Sequence, residues 1–234
     1  MTTALYMKPN LILLHGALGS NQQFEPLAKL LTPHFNLHSF SFDGHGNQAY
    51  SEDFSIDLFS KNLLHFIRQH QLQGAYCFGY SMGGYIALYL SKQQSGLLKS
   101  LVTLGTKFKW TPESAKLEAK GLNAKLIKEK VPHFAQTLDK RHQAFGWENV
   151  LQATAQMMLA MGNTPPLNEN TLKQINLPCL LLVGDSDKMV SLQETELVSQ
   201  QLTNSSMEIL EQSPHPIEKV NLKALTQKLT AFFK

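Results

Sequence analysis

The sequence predicts an α/β protein built on a mostly parallel sheet with helices on both faces. Three observations carry this. Short apolar runs of strand length alternate with longer segments of helical periodicity along most of the chain. At 234 residues, 43% hydrophobic and 17% charged, the chain has the size and composition of one sizeable globular domain. One stretch, residues 107–175, breaks the alternation with helical patterns and no clean strand, as an insertion between two strands of the sheet would.

The elements follow in order. NLILLHG (10–16) reads as a strand running into a glycine turn, and QFEPLAKLLTPHF (23–35) as a helix. LHSFSFDGHG (37–46) is a strand ending in a polar loop. SIDLFSKNLLHFIRQHQL (55–72) carries its apolar residues on one helical face. AYCFGY (75–80), MGGYIALYLSKQQ (82–94) and LKSLVTLG (98–105) give strand, helix and strand. Within 107–175, ESAKLEAKGLNAKLIKEKV and WENVLQATAQMMLAMG read as helices, and NTPPLNENT as a closing loop. PCLLLVGDSD (178–187), SMEILEQS (206–213) and IEKVNLKALTQKLTAFF (217–233) resume the alternation. The expected division is therefore a core of 1–106 and 176–234 with a helical insertion over 107–175.

Composition narrows the function classes. The net charge is +3 and the basic residues form no long run, which argues against nucleic acid and membrane as partners. Only Arg68 and Arg141 are arginine, so a guanidinium clamp on phosphate is not expected. Cys77 and Cys179 fall inside apolar runs and read as buried thiols. No Cys/His cluster has zinc-ligand spacing. The N-terminal MTTALYMKPN lacks the layout of a signal peptide, and no apolar stretch approaches a membrane span, so the expected location is cytoplasmic.

Chemistry concentrates at CFGYSMGGYIA (77–87). Ser81 sits between a buried strand and a helix, with Gly79, Gly83 and Gly84 around it. A glycine-rich turn would account for the glycines alone. Strand before and helix after make the G-x-S-x-G pattern a sharp turn that exposes the hydroxyl at the carboxyl edge of the sheet. A serine hydroxyl attacks only if a histidine takes its proton and an acid orients that histidine. His133 and His142 fall in the helical insertion, whereas His215, in QSPHPIEKV, lies between a late strand and a late helix. The loop after LLLV offers Asp185 and Asp187, and either gives the chain order serine, acid, histidine. Two backbone N–H donors are needed for the oxyanion. Met82 follows the serine, and Ala17 follows His15-Gly16 after the first strand.

LLHGALGS, FDGHG, GYSMGG, VGDSD and PHPIEKV together resemble the successive signatures of the α/β-hydrolase superfamily over nearly the whole chain. The resemblance is to small capped members: esterases, haloperoxidase-like enzymes and the menaquinone-pathway lyase. It implies a Ser-His-Asp triad, an oxyanion hole and a helical cap, without metal or cofactor. It also selects Asp187 over Asp185 as the acid, leaving Asp185 to brace its loop, and reads Asp43 as structural. Two departures stand out. Pro214 occupies the usual glycine position before the histidine, and only nine residues precede Asn10, where a hairpin is usual. The second departure implies a sheet of six or seven strands.

The expected activity is hydrolysis of a small carboxylic ester through an acyl-enzyme, by a monomer or homodimer. A triad-dependent lyase of the menaquinone-pathway type is the first alternative, weakened because Tyr85 stands where that family carries arginine. A slow-turnover ligand receptor on the same fold is the second. Peptidase, dehalogenase and epoxide-hydrolase readings are weaker still. Trp110, Phe134, Trp147 and Met158 are the insertion residues expected to face the substrate. The insertion carries ten Lys/Arg against six Asp/Glu, a net +4 that leaves −1 for the rest of the chain. Such an excess is a solvated face more often than a binding patch, and an uncharged acyl group of modest size is expected.

Overall fold

A computed structural model describes residues 8–234. The expectations about the N-terminal stretch and the missing hairpin fall largely on residues 1–7, outside the described residues. Six strands form one sheet: β1 (Asn10–Leu14), β2 (Asn36–Ser39), β3 (Ala75–Tyr80), β4 (Leu98–Leu104), β5 (Cys179–Gly184) and β6 (Ser205–Leu210). They lie in the order β2-β1-β3-β4-β5-β6, and every neighbouring pair is parallel. After β2 the chain crosses back over β1 to lay down β3. That reversal opens a crevice at the carboxyl ends of β1 and β3.

Strand alternation builds two cores. Ile12, Leu14, Cys77, Leu101 and Leu181 face one side, where they pack with residues of α2 (Ile56–Gln69), α3 (Met82–Gln93) and α9 (Leu192–Gln201). Leu11, Leu13, Phe78, Val102 and Leu182 face the other, against α1 (Glu25–Leu31) and α10 (Leu222–Phe232). Helices on both faces are what a parallel sheet needs to bury its strands completely. Cys77 and Cys179 are both free and buried in the first of these cores, and burial pushes both thiols up.

Between β4 and β5 come five helices: α4 (Pro112–Gly121), α5 (Ala124–Lys130), α6 (Pro132–Arg141), α7 (Trp147–Asn163) and α8 (Glu169–Leu172). Five details differ from the periodicity reading. α6 occupies a stretch given no element, with Pro132 at its first turn. α8 falls on the expected closing loop, where the Asn168 side chain accepts from Asn170 and Thr171 N–H and starts a short helix. ESAKLEAKGLNAKLIKEKV is two helices, because the Asn123 side chain accepts from Leu126 N–H and starts a new one. β2 ends at Ser39, well short of the apolar run that suggested it. α9 escaped the periodicity reading; it buries little beyond Thr195 and Val198 and is started by Ser191, whose hydroxyl accepts from Glu194 N–H. Among the described residues no helix is long and apolar enough to cross a membrane.

Candidate active site

The turn from β3 into α3 holds Ser81 at φ 51° and ψ −117°. A non-glycine residue there is strained by about 1–3 kcal/mol, and surrounding structure must hold it in place. Ser81 N–H donates to Leu104 C=O (2.8 Å), and the Thr106 hydroxyl donates to Ser81 C=O (3.0 Å). The sharpness of the turn dictates two of its glycines. A Cβ on Gly79 would lie 2.5 Å from Gly84 Cα, and one on Gly83 would lie 2.3 Å from Leu14 C=O.

His215 reaches this edge from the loop after β6. Its Nε2 lies 3.3 Å from Ser81 Oγ and its Nδ1 lies 2.7 Å from Asp187 Oδ2. The Tyr80 hydroxyl donates to His215 C=O (3.0 Å), so the residue before the serine also holds the histidine loop. Asp187 is nearly sealed from solvent, its side chain 2% exposed. Burial pushes its carboxyl up, but the His215 contact and two N–H donors, Met189 and Val190, outweigh burial and hold it below its usual range. Asp185 takes another path: its oxygens accept from Gln212 N–H (2.9 Å) and Ser213 N–H (3.1 Å). Asp43 likewise accepts from the Ser51 backbone and hydroxyl, bracing its own loop.

Two N–H groups stand beside Ser81. Met82 opens α3, so its N–H has no partner within the helix. Ala17 N–H donates to no group among the described residues. The peptide that carries it is oriented by buried His15. Phe42 N–H donates to His15 Nε2, so Nδ1 carries the hydrogen and donates to Gly16 C=O (2.8 Å). Burial lowers His15 to about 3, so the ring is neutral in this role.

A pocket opens over Ser81 and His215. Ile56, Tyr85, Met157, Met161 and Val190 give it an apolar wall, and Lys107 and Glu118 form a largely buried ion pair (3.1 Å) within it. Trp110 and Met158 line the same pocket. Phe134 lines an adjoining groove that also reaches Ser81 and His215 and carries Arg141 and Glu218. Trp147 is elsewhere: it packs with Ile127, Ala135, Leu138 and Leu151 in a core belonging to the inserted helices themselves. Periodicity and motif reading missed Lys107, Glu118 and Tyr80, and weighed His142 only as a general base. Only Tyr80 carried a signal, its place beside the serine. Among the described residues no group of three or more His, Cys, Asp or Glu side chains is placed to hold a metal ion.

A parallel sheet of this order, with a strained serine turn after its third strand, defines an α/β-hydrolase. The chain belongs to the family described as serine aminopeptidase, S33, whose model matches residues 7–218. It is similar to the pimeloyl-[acyl-carrier protein] methyl ester esterase of Vibrio vulnificus, 23% identical over 229 residues covering 88% of this chain and 87% of that one. The enzyme of the same name from Vibrio cholerae is 23% identical and covers 99% of both chains. In fold it is similar to the 2-hydroxy-6-oxo-6-phenylhexa-2,4-dienoate hydrolase of Rhodococcus sp. strain RHA1, with TM-score 0.77 and 19% identity over 97% of this chain and 90% of that one. A thermophilic esterase from Thermogutta terrifontis gives TM-score 0.77 and 17% identity, again over 97% and 90%.

Proposed function

We propose that this protein is a serine esterase in which Ser81, His215 and Asp187 form the catalytic triad, with residues 107–175 acting as a cap over it. The observation that carries this is the continuous chain from Ser81 Oγ through the His215 ring to a buried Asp187 side chain, next to two N–H groups that have no acceptor among the described residues. His215 Nε2 takes the hydroxyl proton as Ser81 Oγ attacks the acyl carbon. Ala17 and Met82 N–H groups hold the resulting oxyanion. The intermediate collapses, the ester C–O bond breaks, and the Nε2 proton passes to the departing alcohol. Water then gives its proton to His215 and attacks the acyl-enzyme. A second collapse releases the acid and returns the proton to Ser81. Asp187 stays ionised throughout and keeps the Nδ1–H tautomer. The 3.3 Å Ser81–His215 separation is long, as is common before substrate tightens such a contact.

The pocket wall supports an uncharged acyl group of modest size, because Lys107 is already paired with Glu118. The Vibrio relatives, named as methyl ester esterases, support carboxylic esters as the substrate class. The lyase reading is disfavoured by Tyr85, which offers an anionic substrate no charge and whose hydroxyl accepts from Leu167 N–H (2.9 Å) and donates to Leu167 C=O (3.5 Å). Ser81→Ala is expected to abolish model-ester turnover and fluorophosphonate labelling with the melting temperature retained. Labelling that persists at another serine would remove the assignment.

A further inference from the structure

We propose that Arg141 and His142, at the end of α6, are positioning residues: they clamp the loop after β1 and so set the direction of Ala17 N–H. The catalytic consequence rests on the esterase reading, but the clamp stands on its own contacts. Gly19 N–H donates to Gly16 C=O (3.1 Å), closing a turn with Ala17 and Leu18 at its centre. Leu18 has φ 59°, a conformation glycine takes freely at that position and leucine takes only when held.

What holds it comes from the inserted helices, more than a hundred residues away in sequence. Leu18 C=O accepts from Arg141 Nη1 (2.8 Å) and from His142 Nε2 (3.0 Å). Gly46 N–H donates to His142 Nδ1 (3.0 Å), so the hydrogen is on Nε2 and the ring is a donor to Leu18. His142 is fully buried, and its two ring nitrogens tie α6 to two separate loops of the core.

Planar trans peptides carry this hold to the site. Fixing Leu18 C=O fixes the opposed Gly19 N–H, which meets Gly16 C=O. Gly16 C=O, held also by His15, fixes the opposed Ala17 N–H. Loss of the clamp frees Leu18 to return to negative φ, which turns the Leu18–Gly19 peptide and releases Gly16. Arg141 therefore touches neither substrate nor triad in this role and acts only through the backbone of the loop.

The test compares wild type, Arg141→Met, His142→Phe and Arg141→Met with Leu18→Gly. Two readouts are taken: amide exchange over residues 15–20, and kcat and KM on a model ester. Each single variant is expected to speed exchange at Gly19, whose N–H closes the turn, but not in β3 and α3. Because a lost oxyanion donor costs about 10²–10³-fold, a misdirected one is expected to lower kcat by about tenfold, with KM little changed. Leu18→Gly is expected to restore most of that loss, because glycine needs no clamp at positive φ. Arg141, whose side chain reaches solvent, provides the variant that keeps its fold if His142→Phe does not. Unchanged exchange at Gly19 in Arg141→Met overturns the clamp. A loss of kcat that Leu18→Gly does not restore, or a lower melting temperature at full kcat, overturns the positioning role. If wild type turns over no ester, the esterase reading fails alone and exchange still decides the clamp.

Discussion

Asp185 and Asp187 leave β5 two residues apart, and their oxygens go to different donors. Asp187 spends Oδ2 on His215 and Oδ1 on the backbone of its own loop. Asp185 spends both oxygens on Gln212 and Ser213, where Gln212 sits at φ 53° and needs holding. Asp187→Asn is expected to leave His215 in the wrong tautomer and lower kcat by up to about 10⁴-fold with the melting temperature nearly unchanged. Asp185→Asn is expected to lower the melting temperature and leave kcat within a few-fold. Steady-state kinetics and thermal unfolding of the two variants check this, and an active, folded Asp187→Asn would reverse the roles. At this scale the serine, the histidine and the two aspartates were legible because each sits on a loop fixed by a readable strand. The choice between the aspartates was not readable from alternation, since a loop after Gly184 has no parity. His15 was legible only as a neighbour of Gly16: its tautomer depends on Phe42, which the sequence does not bring near it.

At the scale of elements, α7 supplies one wall of the pocket. Met157, Met158 and Met161 line it from one helical face, and Met is an adaptable filler of such space. Met161→Ala is expected to lengthen the cavity and move the preference along a series of model esters toward longer acyl chains, read as kcat/KM against chain length. Trp147→Ala, in the separate core of the inserted helices, is expected to cost about 3–5 kcal/mol of stability and leave that preference where it was. A shifted chain-length profile in Trp147→Ala would place it in the substrate's path after all. The two cases show why a sequence resolves an insertion poorly. Aromatic and sulfur side chains on amphipathic helices look alike whether they fill their own core or face a ligand. Strands and the long helices α2, α3 and α7 were legible from period alone. α9 was missed because a sheet-covering helix that buries only two side chains leaves almost no period to read.

The whole molecule joins core and inserted helices through neutral histidines, and this sets its response to acid. His15, His45 and His142 lie in contact, with ring centroids 5.1 Å and 5.7 Å apart. Burial lowers His15 to about 3, His142 to about 4, and His45 well below its ordinary value. The charges facing them disfavour protonation too: each ring's neighbours are the other histidines and Arg141, whose nearest carboxylate, Glu218, lies against the guanidinium. In the unfolded chain all three titrate near their ordinary value of about 6.5. Between about pH 4 and 6.5 the unfolded chain therefore binds protons that the folded chain does not, so stability rises with pH through this window. The contribution is complete above about pH 6.5 and is lost as pH falls toward the folded values. Asp187, lowered relative to a free carboxylate, adds a loss of the same sign at still lower pH. Urea unfolding at about pH 7 and about pH 5 is expected to give a lower midpoint at the acid pH, with net proton uptake on unfolding. His142→Gln is expected to remove one histidine's share of that slope, because an amide can keep one donor and one acceptor there without titrating. A midpoint independent of pH across this window would mean that these rings are protonated in the folded protein. The bonds from Phe42 N–H to His15 and from Gly46 N–H to His142, in which a ring nitrogen accepts, would then have to be redrawn.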